Sequence, residues 1–207
     1  MQTQLSTSSV AEHSSQYYHT IYPIPYHYGS LDGSKGRWKF LLDTVLAVMA
    51  LTMLWPLLLG ISIAVKLDSY GPVLYRQRVL GKNGRIFYAY AFRTQHINSR
   101  QKTRIGRFLC QTGLTDLPLL INVLKHEMSF VGPRMIAPEQ IVTFGSYADR
   151  LLTRTPGITG FWQINGCQPE KRIEQDLYYI ENSSIKYDLV LLWRTFLVIS
   201  HSRRKAK

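Results

Sequence analysis

The stretch TGLTDLPLLINVL, residues 112 to 124, sets a hydroxyl, Thr115, beside a carboxylate, Asp116, at the head of a helical apolar pattern. Leu117, Leu120, Ile121 and Leu124 recur at i, i+3, i+4 and i+7, which predicts an amphipathic helix over 115–127. Thr115 is a good N-cap type and Asp116 suits the positive end of the helix dipole. Pro118 fits the first turn, where its missing N–H is no loss. Capping alone therefore explains both polar residues. The chemical alternative is that the free N–H groups of the helix start attract a phosphate. A carboxylate beside a phosphate implies a divalent cation between them, with Asp116 as the candidate metal ligand. In SFVGPRMIAPEQ, residues 129 to 140, a Gly132-Pro133 turn presents Arg134, whose guanidinium matches phosphate geometry.

The composition also calls for an anionic partner. The 207 residues include 25 Lys and Arg against 13 Asp and Glu, a formal charge of +12. Nucleic acid, acidic lipid headgroups and phosphorylated substrates all suit such an excess. The two cysteines, Cys110 and Cys167, form no CxxC pair, and the six histidines form no HExxH. Neither a zinc site nor a disulfide framework is expected, and a reducing compartment is the simple reading.

These groups need elements to position them. Residues 1–36 are polar, rich in Ser, Tyr and His, and read as a flexible tail. The run FLLDTVLAVMALTMLWPLLLGISIAV, residues 40–65, carries no charge over the 22 residues from Thr44 to Val65. About 20 apolar residues span a bilayer as a helix. The run begins too late for a signal peptide. Lys35, Arg37 and Lys39 precede it, and Lys66, Arg76, Arg78, Lys82 and Arg85 follow. Lys and Arg favour the cytoplasmic side. Both flanks obey that preference only if the helix enters one leaflet, bends at Pro56 and returns. The competing reading is a single span with a proline kink.

Beyond the run, GPVLYRQRVLGKNGRIFYAYAFR (71–93) is two β-rich stretches about an Asn83-Gly84 hairpin turn. Its arginines 76, 78, 85 and 93 either line an anionic site or are solvated. RTPGITGFWQING (154–166) is a turn-dense stretch around Trp162, either a substrate loop or a packed one. IKYDLVLLWRTFLVISHSRRKAK (185–207) is one amphipathic helix, too interrupted by Arg194 to span. Arg203, Arg204, Lys205 and Lys207 suit anionic headgroups, each worth about 1 kcal/mol near a membrane surface. The expected fold is α+β, mainly helical with a small β-hairpin. It comprises a tail (1–36), a re-entrant membrane helix (37–66), a soluble domain (67–200) and a basic tail (201–207), attached monotopically with amphipathic helices at the interface.

A proline-bearing apolar run, an Arg-rich hairpin, DLPLLINVLKHEMSFVGPR, PGITGFWQING and DLYYIENSSIKYDLVLLWRT follow in that order. This series resembles the bacterial sugar transferase family, the monotopic polyprenol-phosphate phosphoglycosyl transferases, from about Lys39 to Ser200. The resemblance implies an enzyme on the cytoplasmic face of the bacterial inner membrane. Such enzymes use Mg²⁺ and move a sugar-1-phosphate from a UDP-sugar onto undecaprenyl phosphate, releasing UMP. That step begins capsule, exopolysaccharide, O-antigen or glycoprotein glycan assembly. In the family, an Asp-Glu pair at this helix start does the work: the Asp attacks the β-phosphate and the Glu helps hold the metal. By the match, Thr115 stands in the nucleophile's slot and Asp116 in the metal slot, one carbon shorter than Glu. Arg93, Arg104, Arg107 and Arg134 match the pattern and are the expected phosphate-binding residues; Glu127, Glu139, Asp176 and Asp188 also match the pattern, with no role assigned.

Departures cluster on polar positions. Cys110 and Cys167 replace basic residues, Ala91 replaces Lys and Met135 replaces Pro. Three readings follow. The first is an active transferase in which Asp116 attacks or Thr115 is activated. The second is a relative without turnover that binds nucleotide sugar or lipid phosphate, self-associates, or pairs with an active transferase. The third, a nucleic-acid-binding protein, leaves residues 40–65 unexplained. The expected partners are a UDP-sugar, undecaprenyl phosphate and anionic lipids.

Overall fold

A computed structural model of the chain describes residues 35–97, 99, 101–164 and 172–205. What was expected of residues 1–34, Cys167 and Lys207 lies outside them. Residues 35 and 36, read by composition as tail, open the first helix, α1, Lys35–Asp68. Among the described residues α1 alone is long and apolar enough to cross a membrane. It has 34 residues with Pro56 inside, and it stays helical through the proline. Its central side chains, such as Met53, Trp55, Leu57 and Leu59, are exposed, while both ends are tied to the rest of the chain. Near the start, Lys39 Nζ donates to the Val131 carbonyl at 3.0 Å and pairs with Asp188. One turn on, Asp43 accepts from Ser129 Oγ at 2.7 Å and from the Phe130 N–H at 3.2 Å. At the far end, Asp68 accepts from the Ile105 N–H at 2.9 Å. Ala47 is buried against Val79, Phe87 and Leu119. Ile61 and Val65 are buried against Phe92 and Leu109.

The expected hairpin is present. β1 (Leu74–Leu80) pairs antiparallel with β2 (Ile86–Phe92), from Leu74 opposite Phe92 to Leu80 opposite Ile86. Asn83 (φ 58°) and Gly84 (φ 74°) take the left-handed conformations that an Asn-Gly turn supplies cheaply. Val79, Phe87 and Ala89 turn inward. Among the described residues no strand lies beside the far edge of β2, and a side chain takes that place. Asn122, fully buried, accepts from the Tyr90 N–H (3.1 Å) and donates to the Tyr88 carbonyl (2.7 Å) and to Glu127 Oε2 (2.7 Å).

The predicted 115–127 helix is corrected. α2 (Arg104–Thr112) ends at Gly113, which adopts φ +71°. A 3₁₀ turn, Leu114–Asp116, follows, and only then α3, Leu119–Leu124. Leu117, Leu120 and Ile121 donate to the carbonyls of Leu114, Leu117 and Pro118, the tighter i→i+3 pattern. Pro118 offers no N–H, so a helical ladder from Thr115 has a gap at that point. Thr115 therefore caps nothing: its hydroxyl is buried and has no hydrogen-bond partner. The buried face also turns from the expected stripe, to Leu119, Leu120, Asn122 and Val123, because β2 draws the polar Asn122 inward.

β3 (Ser129–Val131) and β4 (Gly157–Thr159) form a short parallel pair. Their loops touch so closely that a Cβ on Gly157 would fall 2.1 Å from the Gly132 nitrogen. A long 3₁₀ segment (Pro138–Tyr147) and α4 (Ala148–Leu151) precede β4. α5 (Phe161–Ile164), α6 (Arg172–Asn182) and α7 (Ile185–Lys205) complete the described chain, α7 being the helix expected at the end. The result is mainly helical with a small antiparallel hairpin. Because Asn122 satisfies three groups at once, Asn122→Ala should lower stability by about 2–4 kcal/mol. Denaturation of the detergent-solubilised variant would measure the loss, and an unchanged midpoint would contradict the role given to this side chain.

Candidate active site

α2 and the turn after it set the position of Asp116. Thr103 caps α2, its Oγ1 accepting from the Gly106 N–H at 2.9 Å. Glycine is favoured at the left-handed stop because a Cβ is strained there. Leu114 and Leu117 then pack on Ile61, Val65, Phe92 and Leu109, so the two residues between them are held at both sides. Thr115 turns its hydroxyl into the protein, with no base in reach to activate it. Asp116 remains open to solvent, yet protein crowds around its carboxyl, and that partial burial pushes its pKa up. Of the adjacent pair, the carboxylate is the group a soluble ligand meets.

The four arginines fall into different settings. Arg104 and Arg107 are exposed on α2, one turn apart, on the helix that leads to Asp116. Arg93 is buried, and its guanidinium donates to the carbonyls of Tyr70 and Ser69, closing the exit of α1. That placement gives Arg93 to the backbone rather than to an open anion surface. Arg134 lies over the Trp162 indole, 5.4 Å from the ring centroid. Its N–H donates to Asp176 Oδ1 at 3.1 Å. Burial pushes the Asp176 carboxyl up to about 6, against the pull of the Arg134 N–H and charge. The structure thus joins Arg134 to the Trp162 loop, which spacing alone did not connect.

Sequence reasoning missed other cationic contacts. Lys125 Nζ donates to Tyr90 Oη at 3.0 Å and sits 4.7 Å from the ring centroid, with Arg76 on the same ring at 5.6 Å. It also missed Tyr179, whose hydroxyl lies 2.8 Å from Asp188 Oδ1 and 3.0 Å from the Val131 carbonyl. Burial and the neighbouring Asp188 push this phenol up, so it stays protonated and donates.

Comparison with known proteins gives the family. A match to the family described as bacterial sugar transferase covers residues 34–202. The chain is 38% identical over 178 residues to a UDP-glucose:undecaprenyl-phosphate glucose-1-phosphate transferase of Xanthomonas campestris pv. campestris, covering 74% of this chain and 37% of that protein. It is 33% identical over 183 residues to a UDP-N-acetylgalactosamine-undecaprenyl-phosphate N-acetylgalactosaminephosphotransferase of Aeromonas hydrophila, covering 76% and 42%. It is 30% identical over 214 residues to the exopolysaccharide production protein ExoY of Sinorhizobium fredii (strain NBRC 101917 / NGR234), covering 89% and 95%. The chain thus spans about two fifths of the first two relatives and nearly all of the third.

The buried Asp176 has a consequence that can be measured. Its raised pKa means that folding favours the protonated carboxyl, so stability falls as pH rises from the ordinary carboxylate range to about 6, and stays lower above it. Asp176→Asn keeps an acceptor for the Arg134 N–H and removes that loss. Relative to wild type, the variant should gain stability from about pH 4 to about pH 6 and then level off, by up to about 3 kcal/mol. Melting curves across that range would show it, and a difference independent of pH would exclude the effect.

Proposed function

The chain belongs to the bacterial sugar transferase family, and from that premise we propose that it moves a sugar-1-phosphate from a UDP-sugar to undecaprenyl phosphate, releasing UMP. In this reading it works at the cytoplasmic face of a bacterial inner membrane and starts exopolysaccharide, capsule or other glycoconjugate assembly. The observation that carries it is the open carboxylate of Asp116, fixed in a rigid turn inside the matched region. The names of three relatives, which specify glucose-1-phosphate or N-acetylgalactosamine phosphate transfer or exopolysaccharide production, support the substrate class.

Asp116 is the attacking group in this scheme, because the Thr115 hydroxyl is buried without a base. Its carboxylate oxygen bonds to the β-phosphorus, and the bond to the α-phosphate oxygen breaks, its electron pair leaving with UMP. An oxygen of undecaprenyl phosphate then attacks the phosphosugar ester and frees the carboxylate. Arg104 and Arg107 on α2, and Arg134 over Trp162, offset phosphate charge. Among the described residues no group of three or more His, Cys, Asp or Glu could enclose a metal ion. Magnesium needs only one or two carboxylates when substrate phosphates and water complete its shell, so Asp116 fits as its protein ligand. When bound, Mg²⁺ would neutralise pyrophosphate charge.

The contacts of α1 favour the one-leaflet reading over a span. Lys39 and Asp43 at one end and Asp68 at the other all bond to the remainder of the chain. A spanning helix would place those ends across about 30 Å of hydrocarbon, on opposite faces. The exposed centre around Pro56 is then the part that dips into lipid, and anionic headgroups meet the basic flanks.

Purified protein given UDP-glucose or UDP-N-acetylgalactosamine, undecaprenyl phosphate and Mg²⁺ should release UMP. Asp116→Asn should cut the rate by more than about a hundredfold, while Thr115→Ala should leave it within a few-fold. Turnover that survives Asp116→Asn would remove Asp116 from the mechanism, and nucleotide-sugar binding with no turnover at all would mark a silent relative. Cysteine tags placed before Lys39 and after Asp68 should both be labelled from the cytoplasmic side only. Labelling from opposite sides would establish a span.

A further inference from the structure

Three buried polar atoms on adjoining elements lack a hydrogen-bond partner: Trp162 Nε1, Gln163 Oε1 and Gln175 Oε1. Trp162 and Gln163 lie on α5. Gln175 lies on α6, one residue before the Asp176 that holds the Arg134 N–H, and Arg134 in turn covers the indole. A Cβ on Gly160 would fall 2.8 Å from Trp162 Nε1, so the indole is pressed onto the backbone of this corner. Gln175 is 8% exposed. An unmatched buried polar atom costs about 1–3 kcal/mol, and native interiors leave few of them. Three such atoms on two adjoining helices, among the described residues, are groups that a bound partner would satisfy.

The unmet groups describe that partner. They are one N–H donor and two carbonyl acceptors, beside an aromatic ring stacked under a cation. A uracil edge carries two carbonyl acceptors about an imide N–H, and ribose adds hydroxyl donors. We propose that Trp162, Gln163 and Gln175 bind the uridine end of the nucleotide sugar. The indole N–H reaches a uracil carbonyl, Gln163 takes the imide N–H, and Gln175 takes a ribose hydroxyl. Trp162 and Gln163 are half-buried, so both residues still reach the surface in part. Cytosine has an unprotonated N3 where uracil has the imide N–H, so it meets the Gln163 carbonyl badly. The assignment rests on the transferase reading above and names the residues that select the donor's base.

The test is calorimetric binding of UMP and CMP to the full chain in detergent, for wild type, Trp162→Phe and Gln175→Leu, with melting curves taken without nucleotide. Wild type should prefer UMP to CMP, and each variant should bind UMP about tenfold more weakly. Gln175→Leu should melt no lower than wild type, because it removes an amide oxygen with no partner. If Gln175→Leu melts lower and still binds UMP normally, the partner lies within the chain and the assignment is overturned. Unchanged UMP affinity in both variants would overturn it as well, leaving the transferase reading intact. A wild type that binds neither UMP nor UDP-glucose would instead sink the transferase reading, and this assignment with it.

Discussion

The ion pair between Lys39 and Asp188 joins the first turns of the apolar helix to the last helix of the chain. A charge held away from water is costly unless its lone pairs and protons are matched, and here they are. Lys39 also reaches the Val131 carbonyl, and Tyr179 shares both Asp188 and that carbonyl. One turn along α1, Asp43 binds Ser129 and Phe130. All three residues of β3 are therefore fastened to one face of α1, and the direction in which that helix leaves the body is set by polar contacts rather than by apolar packing alone.

From this fastening the two halves of the site follow. β3 runs directly into Gly132-Pro133-Arg134, and its parallel partner β4 runs into Trp162, so the clamp on β3 also places the arginine-on-indole stack. The other end of α1 buries Ile61 and Val65 against Leu109, Leu114 and Leu117, which brace the turn carrying Asp116. A helix apolar enough for lipid is thus also the common support of the turn carrying Asp116 and of the arginine-on-indole stack. The transferase reading proposed above calls for such a coupling, because a soluble donor and a lipid phosphate can meet only at headgroup height.

What was legible in the sequence was local. Asn83-Gly84 announced the hairpin because two left-handed residues in succession require such types. The apolar run and the terminal helix were legible from length and periodicity. What escaped depended on distant partners. The role of Asn122 comes from an unpaired edge of β2, more than thirty positions away in the chain. Arg93 was read as a phosphate ligand because it matches the family pattern, whereas its guanidinium donates to two carbonyls at the end of α1. β3 and β4 are three residues each, too short for alternation to register, and their pairing is fixed by close glycine backbones.

The turn at residues 114–116 explains why the neighbours Thr115 and Asp116 have different fates. A 3₁₀ turn has about three residues per revolution, so side chains at i and i+3 eclipse and the two between them splay by roughly 120° to either side. Leu114 and Leu117 are such a pair, and both pack on the same cluster. Thr115 and Asp116 must then point in separate directions, the hydroxyl inward and the carboxylate outward. Of this pair Asp116 takes the outward direction, in the slot that the resemblance gives to the metal-holding residue.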